Sequence, residues 1–205
     1  MYIPKYFSLT DHQKIISFLK ENNFGLIVSS KSDELAGTHL PFVIKADENN
    51  IFLTAHLAKA NPQWKTIDET KEVLVIFQGP HAYISTKFYD HNINVPTWNY
   101  TAIHIYGFCR IITEENEMLN VLYDSFEAFE PGFKNQWNEL PEDYKKGLLN
   151  GIVAFEIKAS KIQAKFKLSQ NRSKQERERI IECFDKSDDY LLTALAREMK
   201  KVSGN

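Results

Sequence analysis

Three apolar runs near the start of the chain, Phe24–Ser29, Glu34–Ile44 and Ile51–His56, are separated by gaps of only four and six residues. Parallel neighbours in a sheet need a crossover of about a dozen residues or more, whereas antiparallel ones close through a few. If these runs are strands, they pair antiparallel, and the doubly wound parallel folds are excluded.

The rest of the chain extends the pattern. Val73–Phe77 is continuously apolar and reads as a strand buried on both faces, bounded by a turn at Gly79-Pro80. His81–Ser85 begins another strand, Thr86–Pro96 reads as a polar loop, and Asn99–Ile112 as a long strand. Within it, alternation places Trp98, Tyr100, Ala102, His104 and Tyr106 on one face and Asn99, Thr101, Ile103 and Ile105 on the other. Gly151–Leu168 is a last long strand. Its apolar phase passes from Val153, Phe155 and Ile157 to Ile162, Ala164, Phe166 and Leu168, which predicts a bulge or kink near Ser160.

Helices punctuate these strands. Thr10 and Gln13 have capping-box spacing ahead of Ile15, Ile16, Phe18 and Leu19. Asn61-Pro62 is an N-cap followed by proline and predicts a short helix to about Lys71. Met118, Leu119, Leu122, Phe126 and Phe129 recur at helical spacing over Glu114–Phe129, Pro141 opens a short helix, and Ser173 and Glu176 form a second capping box. A last amphipathic helix starts near Asp188. The sum is a mostly β, largely antiparallel barrel with peripheral helices: residues 1–170 form the barrel domain and 171–205 a helical extension packed on it.

Composition bounds the function. The 205 residues are 43% hydrophobic and 25% charged, ordinary for a folded domain, with a net charge of -2 and no broad basic field for nucleic acid or anionic lipid. Cys109 and Cys183 match neither a disulfide framework nor a CxxC metal pattern, and no apolar run approaches a membrane span. MYIPKYFSLTD has no apolar signal core, so a cytoplasmic protein with reduced thiols is expected. There is no GxGxxG, P-loop, GxSxG or HExxH.

Four segments could carry chemistry. In Thr38-His39-Leu40-Pro41 a proline interrupts a strand, so the chain bends or lies at an edge there. A bulge with a structural histidine is the plainer reading. His56–Lys65 runs from a strand end to a helix N-terminus, where N–H groups, Lys59 and Lys65 could attract an anion; a capped surface helix explains it equally. Trp98, Tyr83 and Tyr100 could wall a flat ligand, with Asn99 offering an amide to its edge, or could simply cover the barrel, with His104 a structural histidine. Lys167, Ser169, Gln170 and Arg172 could grip a phosphate or form a plain connection.

Taken in order, MYIPKYF, HLPF (39–42), NPQW (61–64), FQGPHAYIS (77–85), VPTWNY (95–100) and KLSQNR (167–172) resemble the PaiB family, FMN-binding negative transcriptional regulators. The resemblance spans essentially the whole chain. It implies a split β-barrel like that of pyridoxamine-phosphate oxidases, a homodimer with FMN at the subunit interface, and a link to repression of protease and sporulation genes. It places Thr38, His39 and Leu40 on the ring or ribityl side of FMN and His56, Lys59 and Asn61 on the phosphate side. Trp98 and Asn99 are expected from the partner subunit, and Lys167, Gln170 and Arg172 are an alternative phosphate grip. A flavin reductase or oxidase, and a haem-handling split barrel with His39 or His104 on iron, are the competing readings. A possible partner protein completes the regulatory reading, since no recognition helix supports direct DNA binding.

Overall fold

The computed structural model describes residues 1–32, 34–91 and 93–203. Seven strands, β1 (Phe24–Lys31), β2 (Glu34–Pro41), β3 (Val43–Ala46), β4 (Ile51–Ala58), β5 (Glu72–Ile84), β6 (Thr97–Ile112) and β7 (Ile152–Lys167), form one sheet in the order β2-β1-β5-β6-β7-β4-β3. The registered pairs β1–β2, β1–β5, β3–β4 and β4–β7 are all antiparallel, as the short gaps require. The helices are α1 (His12–Glu21), α2 (Glu115–Phe129), α3 (Phe133–Glu139), α4 (Glu142–Asn150), α5 (Lys174–Asp185) and α6 (Tyr190–Ser203).

The chain divides into two compact units. The first comprises Met1–Ile15, Gln78–Ile103 and Gln163–Asn205; the second comprises Ile16–Phe77 and His104–Ile162. Residues 171–205 thus share a unit with Gln78–Ile84 of β5, Thr97–Ile103 of β6 and Gln163–Lys167 of β7.

In the second unit, β1 and β2 form a hairpin from Phe24↔Pro41 to Lys31↔Glu34. Ser32 follows β1 at φ 51°, the left-handed conformation that two-residue hairpin loops demand; Asp33, the other loop residue, lies outside the described residues. Phe42, 1% exposed, meets Phe77 and Phe155 edge-on at centroid separations of 5.5 and 6.3 Å. Leu53 and Leu57 of β4, Val73 and Val75 of β5 and Ile157 of β7 are buried. Leu122, Trp137 and Leu149 pack α2, α3 and α4 together, with Phe126 and Phe133 in edge contact at 4.8 Å. Gly107 is required by a close approach: a Cβ there would overlap the Lys158 carbonyl and sit 2.8 Å from Ile157. The burial phase of β7 changes over the same stretch, from Val153, Phe155 and Ile157 to Ala164 and Phe166.

In the first unit, one face of the sheet buries Ala82, Ile84, Asn99, Thr101, Ala164 and Phe166. Ile180, Ile181 and Phe184 of α5 and Leu195, Ala196 and Met199 of α6 are buried too. Phe88 meets Phe184 edge-on at 6.0 Å, and the Asn99 amide reaches the Met199 sulfur at 3.8 Å, which fixes α5 and α6 to this unit. The capping box opening α5 is present: Ser173 accepts from the Glu176 N–H, and Glu176 accepts from the Ser173 N–H at 3.2 Å and the Asp90 N–H at 3.0 Å.

Several expectations are corrected. Asp11, not Thr10, caps α1: its carboxylate accepts the Lys14 N–H at 3.0 Å. Glu34–Ile44 is two strands, because after Pro41 the Phe42 N–H turns to the Asn23 carbonyl. Gly79-Pro80 is no turn; β5 runs straight through it. The helix expected to Lys71 is a five-residue 3₁₀ turn, Pro62–Thr66. Thr86–Phe88 within the expected loop is also a 3₁₀ turn, and Asn92 of that loop lies outside the described residues. α3 was not expected at all.

Candidate functional site

The expected ligand residues fall in both units, and each group is built by its own local physics. In the second unit β2 is the terminal strand of the sheet, so its outward N–H and C=O groups have no strand partner, as Pro41 at its end suggested. Thr38 and Leu40 are half-buried on one side of β2; His39 is exposed on the other, its ring stacked on Phe24 at 6.0 Å. His56 lies towards the end of β4 and is half-buried, and burial pushes its pKa below the usual histidine value, favouring the neutral ring.

Asn61 joins the two segments. Its side-chain oxygen accepts the Gln63 N–H at 2.9 Å, capping the 3₁₀ turn, while its amide donates to the Thr38 hydroxyl at 2.9 Å. Thr38–Leu40 and His56–Asn61 are thereby held as one group. The main chain of Lys59 is fixed at both ends: its N–H donates to the Gly151 carbonyl at 2.8 Å and its carbonyl accepts the Trp64 indole at 3.1 Å. Its ammonium is exposed and, among the described residues, has no carboxylate partner. A five-residue 3₁₀ turn has little dipole and one of its first N–H groups is already taken by Asn61, so the anion site expected of a helix terminus reduces to the Lys59 charge.

Beneath this group sits a residue that sequence reasoning passed over. Gln63 is 3% exposed, and its amide donates to the Ile27 carbonyl (3.1 Å), the Ser29 hydroxyl (3.1 Å) and the Ala36 carbonyl (3.0 Å), tying the turn to β1 and β2. The only hint was a polar residue inside a word otherwise made of a cap, a proline and an aromatic.

The first unit holds the remaining candidates. Asn99 is fully buried and bonded to the Ser169 hydroxyl at 2.9 Å, facing away from Trp98; the amide expected at a ring edge is committed inside the chain. Gln170 accepts the Leu168 N–H and donates to the Phe166 carbonyl, capping the end of β7. Arg172 donates to Asn94 at 2.8 Å and lies 3.8 Å over the Tyr89 ring. Lys167 donates to the Thr97 hydroxyl at 2.5 Å, and burial depresses its pKa, with Lys165 adding to the effect and Tyr100 opposing it. Trp98 is 46% exposed and meets His81 at 5.8 Å and Tyr83 at 6.3 Å. Gln170 is thus committed to the connection itself and Arg172 in part, while Trp98 is exposed and Lys167 half-buried.

A cleft of about 390 Å³ in the second unit is lined by Lys20, Asn23, Phe42, Val43, Ile44, Asp124, Glu127 and Ala128, and includes none of the expected ligand residues. Among the described residues no group of three or more His, Cys, Asp and Glu converges to hold a metal ion, and no helix is long and apolar enough to cross a membrane. Cys109 is fully buried, its thiol pushed up to about 12 by burial and by Glu69, so it is no nucleophile.

Comparison with known proteins places this geometry. Residues 1–161 match the family model described as "Putative FMN-binding domain". The chain is 42% identical over 184 residues to protease synthase and sporulation protein PAI 2 of Bacillus subtilis, covering 89% of this chain and 88% of that one. An uncharacterized protein of Saccharomyces cerevisiae is 30% identical over 162 residues, 66% of this chain and 95% of its own. Among solved structures, the flavocytochrome Anf3 of Azotobacter vinelandii superposes with a TM-score of 0.61 at 14% identity, covering 80% of this chain and 72% of its own. The FAD and heme binding protein of Mycobacterium smegmatis superposes with a TM-score of 0.60 at 11% identity, covering 84% and 78%. At such identities the likeness establishes the fold, the split barrel expected from the sequence.

Proposed function

We propose, because this chain belongs to the FMN-binding domain family, that it holds FMN on the group formed by Thr38, His39, Leu40, His56, Lys59 and Asn61. The observation that carries the reading is the Asn61–Thr38 hydrogen bond, which unites two segments 23 residues apart, two residues along the chain from Lys59, whose ammonium has no carboxylate partner among the described residues. A near-dianionic phosphate is met by Lys59, and the edge backbone of β2 offers donors and acceptors to the polar rim of the ring. When bound, FMN supplies hydride or single-electron exchange at its ring. His56, neutral, lends a hydrogen-bonding group without a second charge.

A bound ring is normally covered over most of its surface, and β2 is open on its outer edge. A second copy of the chain supplies that cover in this reading, which agrees with the exposed Phe24 (62%) and Leu35 (78%) on the same hairpin. The name of the Bacillus relative supports a regulatory role linked to protease synthesis and sporulation. With a net charge of -2 that role runs through a protein partner, not through direct DNA binding. The test is titration of flavin-free protein with FMN, FAD and riboflavin. FMN binding that is tight, and weakened by loss of the phosphate in riboflavin, is expected; equal affinity for all three, or none, overturns the phosphate assignment.

A further inference from the structure

The outer face of the sheet in the first unit carries Trp98 and Lys167, which the flavin group proposed on the second unit does not use. Opposite the buried row Ala82, Asn99, Thr101, Ala164 and Phe166, alternation brings out His81 and Tyr83 from β5, Trp98 and Tyr100 from β6, and Lys165 and Lys167 from β7. These are adjacent strands, so the six side chains form one continuous strip. Trp98 (46% exposed) and Tyr83 (54%) offer ring surface at one end. At the other, Lys165 spans the Tyr100 and Tyr2 rings at 5.2 and 5.8 Å and donates to the Tyr2 carbonyl at 3.1 Å. Among the described residues neither Lys165 nor Lys167 has a carboxylate partner. The unit as a whole carries 13 Lys and Arg against 9 Asp and Glu, a net of +4, while the other unit carries 12 against 18, a net of -6.

We infer that this strip is a binding site for a nucleotide, a planar base with a phosphate, separate from the flavin group on the second unit. The base stacks on Trp98 with an edge toward Tyr83, whose ring stands at 65° to the indole, and the phosphate is drawn to Lys165 and Lys167. Aromatic rings on an open sheet face are tolerant stacking platforms for bases, and two ammoniums without counter-ions supply what a phosphate ester needs.

The probes are ADP, adenosine and FMN, added to the full chain and followed by tryptophan fluorescence, with light scattering in parallel. ADP is expected to quench a signal that Trp98→Phe removes. Lys165→Gln with Lys167→Gln should weaken ADP roughly tenfold or more while leaving adenosine nearly unchanged. Tyr83→Ala, at an exposed position, repeats the test where a lysine variant fails to fold. ADP binding unaffected by these changes, or absent at millimolar concentration, overturns the inference. So does FMN competing with ADP for the Trp98-dependent signal, which makes the strip the flavin's own. A dimer that Trp98→Ala dissociates also overturns it, since a second copy then covers the strip. FMN binding that survives in the Lys165 and Lys167 variants, whatever ADP does, leaves the flavin assignment on the second unit untouched.

Discussion

Replacing Gln63 by Leu tests how the flavin group is supported. The side chain is nearly isosteric and already buried, so volume and apolar transfer change little. What changes is hydrogen bonding. The Ile27 and Ala36 carbonyls and the Ser29 hydroxyl lose the Gln63 amide donor. The Ser29 hydroxyl keeps its bond to Thr66 at 2.6 Å, so its loss is small. The two carbonyls are left with weaker satisfaction, at about 1–2 kcal/mol each. Against this, the Gln63 side-chain oxygen is buried without a partner among the described residues, and removing it returns about half of one such penalty. The net expectation is a loss of about 2 kcal/mol, or roughly 4–8 °C in melting temperature for a chain of this size. Urea denaturation should show a lower midpoint with an unchanged slope. FMN affinity should fall as well, because Asn61, which holds Thr38, caps the turn that Gln63 anchors to β2. Gln63→Glu is the sharper variant: a carboxylate would face three acceptors, its pKa would rise, and its stability would be lost as pH climbs through that raised value. A Gln63→Leu protein as stable as the parent, with unaltered FMN affinity, refutes the reasoning.

Other outcomes follow from single features. Lys59→Ala should weaken FMN about ten- to a hundredfold, measured by titration, with an apo melting temperature nearly unchanged. Gly107→Ala should destabilise by roughly 2–4 kcal/mol in denaturant, since a Cβ meets backbone that has no rotamer to escape into. Ser173→Ala should cost about 1 kcal/mol by removing one half of the α5 capping box. His56 binds its proton less readily when folded than when unfolded, because of burial, so its contribution is intact above about pH 6.5 and declines as pH falls below it. His56→Gln should flatten the stability profile below about pH 6.5, and a slope identical to the parent's would assign the acid sensitivity elsewhere.

The antiparallel sheet, the strand faces of β6 and the α5 capping box could be read from the chain because each depends on neighbours a few residues away. Trp98 and Asn99 alternate outward and inward as their spacing required. Asn61 was legible as a cap for the same reason, but its second bond, to Thr38, depends on chain 23 residues distant. Gln63 was illegible because its meaning lies in carbonyls of β1 and β2. Gly79-Pro80 carries the strongest local turn signal in the sequence, yet tertiary pairing keeps β5 extended through it. The Thr10–Gln13 and Asp11–Lys14 spacings compete one residue apart, and only geometry chooses Asp11. The polar words 167–172 had the composition of a phosphate grip, but Gln170 and Arg172 are occupied by the chain's own groups.

The chain passes from one compact unit to the other four times, three of them inside a continuous strand. No single cut therefore yields a fragment that consists of one unit alone. A chain ending at Gln170 would keep every strand yet lose α5 and α6, leaving Ala164, Phe166 and Phe88 facing water. For a gene encoding this fold, recombination at domain boundaries is closed off: the two units can vary by substitution, but neither can be traded for another.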